Sequence, residues 1–270
     1  DIVYFHTLFW PAVLHAVGLT LPSKVHVHGM LTVDGQKMSK SRGTFISARM
    51  FAQHIEPQAL RYYYAAKYSA GTDDLDLSGN DFVFRVNSEL VNKHANLFSR
   101  AAQFLATRLD GRLGDLPFSA SDAQSDPVSD GSMLDLACKV VAACRRVERC
   151  FRDREFGQAM RELCSVSDIG NEWMQTRKPW DQLKTDPEAA RETCTFALNI
   201  CHALAMYLAP IVPRFSQSGA RMLGCKIDRF DVTALFGLRN RTIGPFERLA
   251  DRIEPKAFDA IIAESTMLSS

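Results

Sequence analysis

The sequence predicts a mostly α protein in which a short α/β piece gives way to an antiparallel helical bundle. Three observations carry this expectation. Residues 24–33 alternate and then run extended into an Asp34-Gly35 turn, and Asp73-Asp-Leu-Asp-Leu77 alternates again, the period-two pattern of strands. From Asp81 onward the apolar spacing becomes helical. At 270 residues the chain can bury a sizeable core but sits where single domains begin to split.

Taken in order, Tyr4 to Val17 carries apolar residues on most faces, with Pro11 inside and Gly18 after it, predicting a mostly buried helix. Lys24 to Gly29 alternates like a short strand, and Met30 to Val33 continues extended. Helical spacing returns around Phe51, Ile55, Leu60 and Tyr64, with Pro57 opening a second helix. Asp81 is a suitable N-cap for a long helix reaching about 109. The Ser-, Asp-, Ala- and Pro-rich run 117–130 reads as a surface loop or a partly disordered insertion. Helices follow near 133–151, 156–175, 187–208 and 213–223, and a last one near 255–264. No internal repeat is found.

Hydrophobic residues make up 46% and charged residues 23%, an ordinary soluble globular composition. With 32 Lys+Arg against 31 Asp+Glu the net charge is +1, so no global basic field announces a nucleic-acid partner and any such partner must be held by local patches. The seven cysteines are odd in number and form no C-x-x-C pair, which suits neither zinc nor a disulfide framework and predicts buried thiols in a reducing cytoplasm. The apolar stretch Ile2 to Leu21 is broken by His6, Pro11 and His15, so neither a membrane span nor a signal peptide is expected. The chain opens on Asp1 inside a dense apolar pattern and reads as a fragment.

Asp34-Gly-Gln-Lys-Met-Ser-Lys-Ser-Arg-Gly43 has glycine near both ends, three cations and two hydroxyls. Lysine is a point charge on a flexible stem, suited to a polyphosphate. On residue types alone the segment suits either a phosphate-binding loop or a solvated Lys/Ser turn. Its core, Lys37-Met-Ser-Lys-Ser41, is identical to the second signature of class I aminoacyl-tRNA synthetases. The flanks Asp1-Ile-Val-Tyr-Phe-His-Thr-Leu-Phe-Trp-Pro11, Val27-His-Gly29, Leu60-Arg-Tyr-Tyr-Tyr64 and Asp73 to Leu77 resemble the methionyl-tRNA synthetases. So do Asn92-Lys93, Asn96, Arg100, Arg154-Glu-Phe-Gly157 and Pro179-Trp180, and the resemblance therefore covers most of the chain.

That resemblance implies the C-terminal piece of a Rossmann-type α/β catalytic domain followed by a helical-bundle anticodon-binding domain. The implied divisions are 1–34 for the catalytic end, 35–80 for the loop and connecting helices, 81–225 for the bundle, and 226–270 for a segment packing back. It implies ligation of methionine to its tRNA through methionyl-adenylate. Lys40, assisted by Lys37, would stabilise the pyrophosphate leaving group. ATP, with Mg2+, would be met by Asp1, His28, Leu31, Lys37, Met38, Ser39, Lys40 and Ser41. Methionine would be met by Ile2, His6 and Trp10, although an isolated His or Trp in an apolar helix is more often packed core.

The same resemblance places a CAU anticodon against Asn96, Arg100 and Trp180. Read without it, Asn96 and Arg100 are surface polars four apart on one helix face, and Trp180 suits packing at a bundle end. Arg145, Arg146, Arg149, Arg152 and Arg154 face either the tRNA backbone or, on balance, solvent. The family's His-x-Gly-His segment is not in this sequence, and its zinc knuckle belongs to the same upstream region, so no metal is expected here and the chain alone is expected to be inactive. A monomer in the cytoplasm is expected. Two other readings stay open: a non-catalytic tRNA-binding module, and a paralogue recruited to another adenylate transfer.

Overall fold

The computed structural model describes residues 2–39 and 45–267. Residues 2–16 form helix α1, in which Phe5–Phe9 is wound as a π-helix between α-helical ends. The helix forms as predicted, but its burial does not: none of its residues is buried. Apolar composition reports what a helix could bury, not that a partner surface lies against it.

The chain then reaches β1 (Leu31–Val33), turns at Asp34-Gly35, and returns as β2 (Gln36–Lys37). Both turn residues have positive φ, 45° and 72°, the mirror-image turn that follows strand twist and that Asp and Gly tolerate. β2 is antiparallel to β1, with Lys37 opposite Thr32. The strand β3 (Leu75–Leu77) lies parallel on the other edge, with Asp76 opposite Thr32. The predicted strand over 24–29 does not form. Its alternation is real, but β1 is paired only over 31–33 and Val25 and Val27 stay exposed.

Helix α2 (Ala48–His54) is capped by Ser47, whose hydroxyl accepts from the Met50 N–H. Helix α3 (Pro57–Lys67) starts on proline, where the missing N–H costs nothing. Residues 79–108 form one long helix, α4, with a π-helical middle, Val86–Ala95. Its preceding residue is Ser78, not Asp81. The Asp81 carboxylate is instead claimed by two donors from α3, the Tyr63 hydroxyl at 2.9 Å and the Lys67 ammonium at 3.2 Å.

Residues 117–130 form a surface loop packed against the bundle: Phe118 and Ala123 are buried, and Gln124 donates to the Val232 carbonyl at 2.8 Å. Helices α5 (Met133–Asp153), α6 (Phe156–Arg177), the short α7 (Pro179–Gln182), α8 (Pro187–Leu208) and α9 (Pro213–Leu223) follow. Arg154 and Lys178, both left-handed, end α5 and α6. Helix α8 is the centre of the bundle, with seventeen of its 22 residues buried.

Helices α4 and α6 lie side by side and parallel, because Lys93–Asp168, Asn96–Asn171 and Arg100–Gln175 all join residues 75 apart. Gly170 permits the approach: a Cβ there would sit 2.4 Å from a Leu97 methyl. After α9 the chain crosses the bundle with little regular structure, and Asn87 bonds both backbone groups of Ile253 at 2.8 Å. Helix α10 (Pro255–Met267) then sets Phe258 against Phe82 of α4, ring centroids 5.6 Å apart.

All seven thiols are free, and burial pushes each above the usual thiol range. Among the described residues, no helix is long and apolar enough to cross a membrane, and no group of three or more His, Cys, Asp or Glu could hold a metal ion. Adding a methyl at Gly170 over-packs a closed interface, at a cost of about 1–3 kcal/mol that exceeds the helix-propensity gain of at most about 1 kcal/mol. Gly170→Ala is therefore expected to lower the urea midpoint without changing its slope.

Candidate functional site

The β1–β2 hairpin delivers Lys37, Met38 and Ser39 to the start of the candidate phosphate loop. Met38 packs against the core while Ser39 is half-buried. Lys40 and Ser41 lie outside the described residues, as does Asp1. On the near side the Asp74 carboxylate accepts from the Met30 N–H at 2.8 Å, and one Asp76 oxygen accepts from Gly35 N–H at 2.7 Å and Thr32 hydroxyl at 2.8 Å. On the far side the Phe45 carbonyl accepts from the Ser265 hydroxyl of α10 at 2.9 Å. The α2 residue His54 meets Glu264 at 2.8 Å, a second tie between that side and α10.

Ile2, His6 and Trp10 sit at steps of four along α1, so they share one face. All three are exposed, and the His6 ring is held by its Nδ1–H donating to the Ile2 carbonyl at 2.8 Å. His28 is also exposed, with its Nδ1–H donating to the Gly29 carbonyl at 2.7 Å and its ring 6.3 Å from that of Tyr68. Leu31 is exposed at the first position of β1. His28 and Leu31 thus belong to the segment that leads into the loop.

The three residues expected to meet nucleic-acid bases are brought to one end of the α4–α6 pair. Asn96 donates to the Asn171 side chain at 3.1 Å, and Arg100 donates to Gln175 at 3.1 Å while its guanidinium lies 5.5 Å from the Trp180 ring centroid. Trp180 is 36% exposed, which leaves ring surface available for stacking. Asn171 and Gln175 were missed by sequence reasoning. Their four-residue spacing repeats that of Asn96 and Arg100 and was the available signal. Of the arginine cluster, Arg145 bonds Gln124, Arg146 pairs with Glu162 at 2.8 Å, and Arg149 and Arg152 are exposed.

Between the hairpin and this end lies a buried polar chain. The Tyr62 hydroxyl of α3 donates to Glu89 at 3.0 Å and lies 3.1 Å from His94 Nε2, and His94 Nδ1 lies 2.6 Å from the Ser167 hydroxyl of α6. Tyr62 spends its proton on the carboxylate, so the His94 Nε2–H donates to Tyr62 and Nδ1 accepts from Ser167. Burial, helped by the adjacent Lys93 charge, holds the His94 imidazole neutral and lowers its pKa to about 3. At Asp81, burial works to raise the pKa, but hydrogen bonds from Tyr63 and Lys67 outweigh it and hold the carboxyl below its usual range.

Two family models match. That of "tRNA synthetases class I (M)" matches residues 1–102, and that of the "Anticodon binding domain of methionyl tRNA ligase" matches residues 130–236. Among solved structures, the free state of Mycobacterium tuberculosis methionyl-tRNA synthetase is similar at a TM-score of 0.75 and 22% identity, over 94% of this chain and 49% of that one. The same organism's methionyl-tRNA synthetase in complex with methionyl-adenylate is similar at 0.76 and 25% identity, over 92% and 48%. The chain thus spans about half the length of these structures.

The buried imidazoles fix a pH dependence. Burial also lowers His202, to about 4. Below about pH 6.5 an unfolded His takes up a proton that His94 refuses in the fold until about 3, so stability is lost as pH falls from 6.5. Each such group contributes a slope of at most about 1.4 kcal/mol per pH unit. In urea unfolding between pH 6.5 and 4, His94→Gln is expected to flatten the slope by about one proton, whatever it does to absolute stability.

Proposed function

The chain belongs to the methionyl-tRNA synthetase family, and on that premise we propose that it is the part of a methionine–tRNA ligase that carries the leaving-group loop and the anticodon reader. The observation that carries this reading is Lys37-Met-Ser-Lys-Ser41, which starts on the last residue of the β1–β2 hairpin, inside the region matched as a class I synthetase. In the proposed reaction the methionine carboxylate attacks the α-phosphorus of ATP, giving methionyl-adenylate and pyrophosphate, and the methionyl group then passes to tRNA. Negative charge grows on the departing pyrophosphate. Lys40 and Lys37 oppose it electrostatically, with Ser39 and Ser41 as hydrogen-bond donors. Asp1, His28, Leu31 and Met38 complete the ATP side within this chain, and Mg2+ accompanies ATP as part of that co-substrate.

Ile2, His6 and Trp10 form one wall of the methionine pocket, where apolar and aromatic surface suits a polarisable thioether. At the far end Trp180 offers a stacking face, and Asn96 and Arg100 supply amide and guanidinium groups to neighbouring bases of a CAU anticodon. The contacts of Arg100 to both Gln175 and Trp180 support this role, because they hold the guanidinium beside the ring before any base arrives. The proposed enzyme is a cytoplasmic monomer.

In the full-length protein, methionine-dependent ATP–pyrophosphate exchange should be present. Lys40→Ala should lower turnover far more than it lowers tRNA affinity; an equal loss in both would sink the leaving-group role. Trp180→Ala should weaken binding of a CAU-anticodon tRNA by about 1–3 kcal/mol. Unchanged binding would make Trp180 a packing residue.

A further inference from the structure

We propose that Asp76 is a positioning residue for the phosphate loop, acting through the β1–β2 hairpin without touching ATP. This rests on the reading of Lys37 to Ser41 as a nucleotide-binding loop. Across the small sheet, Lys37, Thr32 and Asp76 stand in one row, since Thr32 pairs with Lys37 on one side and with Asp76 on the other. Directly opposed residues on neighbouring strands share a face. A single oxygen of Asp76 accepts from both the Thr32 hydroxyl and the Gly35 N–H.

Its carboxylate therefore grips the strand opposite Lys37 and the turn two residues before it. The grip matters because β2 is two residues long and its ladder holds only two register pairs, which is little to fix a hairpin by itself. Gly35, at φ 72°, has the widest backbone freedom in the turn. Asp76 is itself held from behind: its carbonyl accepts from the Lys67 ammonium of α3 at 2.9 Å, and the Tyr63 hydroxyl lies 3.0 Å from the same oxygen. The residue thus ties the hairpin to the helical body, and the body sets where Lys37 stands.

The test is steady-state ATP–pyrophosphate exchange on the full-length protein. Asp76→Ala should raise the KM for ATP and lower exchange by about 10- to 100-fold, the loss expected for two hydrogen bonds, while the KM for methionine and the Tm stay near wild type. Asp76→Asn keeps an acceptor oxygen for both donors and should restore most of the activity. Thr32→Val, which removes one of the two donors, should show a smaller loss of the same kind. An unchanged KM for ATP in Asp76→Ala would overturn the proposal, as would a parallel rise in both KM values with a fall in Tm. An Asp76→Asn variant as impaired as Asp76→Ala would also overturn it, pointing to charge in place of hydrogen bonding. Absence of methionine-dependent exchange in the wild-type protein would defeat the functional reading itself, and is distinguishable because it precedes any variant.

Discussion

The parallel register of α4 on α6 is the constraint on which the rest of the molecule depends. Three polar pairs share a separation of 75 residues, so a slip of one helical turn would break all of them together. The pairs differ in weight. Lys93–Asp168 is an exposed ion pair, and such pairs contribute at most about 1 kcal/mol. The buried His94–Ser167 bond and the contact of Leu97 with Gly170 set the register, because a mismatch there strands polar atoms without water or drives a methyl into backbone. Helix α4 is roughly 40–45 Å long by helical rise. Its first turn receives Tyr63 and Lys67 through Asp81, and its last turns present Arg100 beside Trp180. One rigid element thus fixes the distance between the hairpin and the opposite end of the bundle.

The hairpin side shows the same economy of means. A three-stranded sheet with strands of two or three residues is too small to be stable by ladder hydrogen bonds alone. Acidic side chains from 74 and 76 take up the backbone donors of Met30 and Gly35, and Leu77 is buried beneath them. The alternation in Asp73 to Leu77 therefore has two functions: its apolar member packs, and its carboxylates pin the neighbouring strand. On the far side of the loop, the last helix reaches back to Phe45 and His54.

Much of this was legible in sequence wherever the signal was local. Prolines at 57, 187 and 213 sit in first helical turns, and the Asp34-Gly35 dipeptide marks its turn, so those elements fall where their residues predict. What depended on distant partners was not legible. The apolar pattern of α1 could not say whether anything covers it, and the alternation of 24–29 could not say whether a strand lies alongside. Asp81 had the chemistry of a cap, but Tyr63 and Lys67, eighteen and fourteen residues earlier, outbid the local backbone. In the candidate site, Asn96, Arg100 and Trp180 were legible as residue types in familiar surroundings. Their convergence, and the part of Asn171 and Gln175 in it, required the register of α4 on α6.

The seven buried or half-buried thiols have a practical meaning for studying such a molecule in solution. Alkylating reagents attack the thiolate, and burial holds every cysteine thiol here further toward the protonated form than a free cysteine. A single cysteine introduced on an exposed surface, beside Trp180 or on the hairpin, would react with a maleimide dye ahead of the four buried thiols, Cys138, Cys144, Cys194 and Cys201. Reporters placed at either end of α4 then compete with the half-buried Cys150, Cys164 and Cys225 rather than with all seven native thiols.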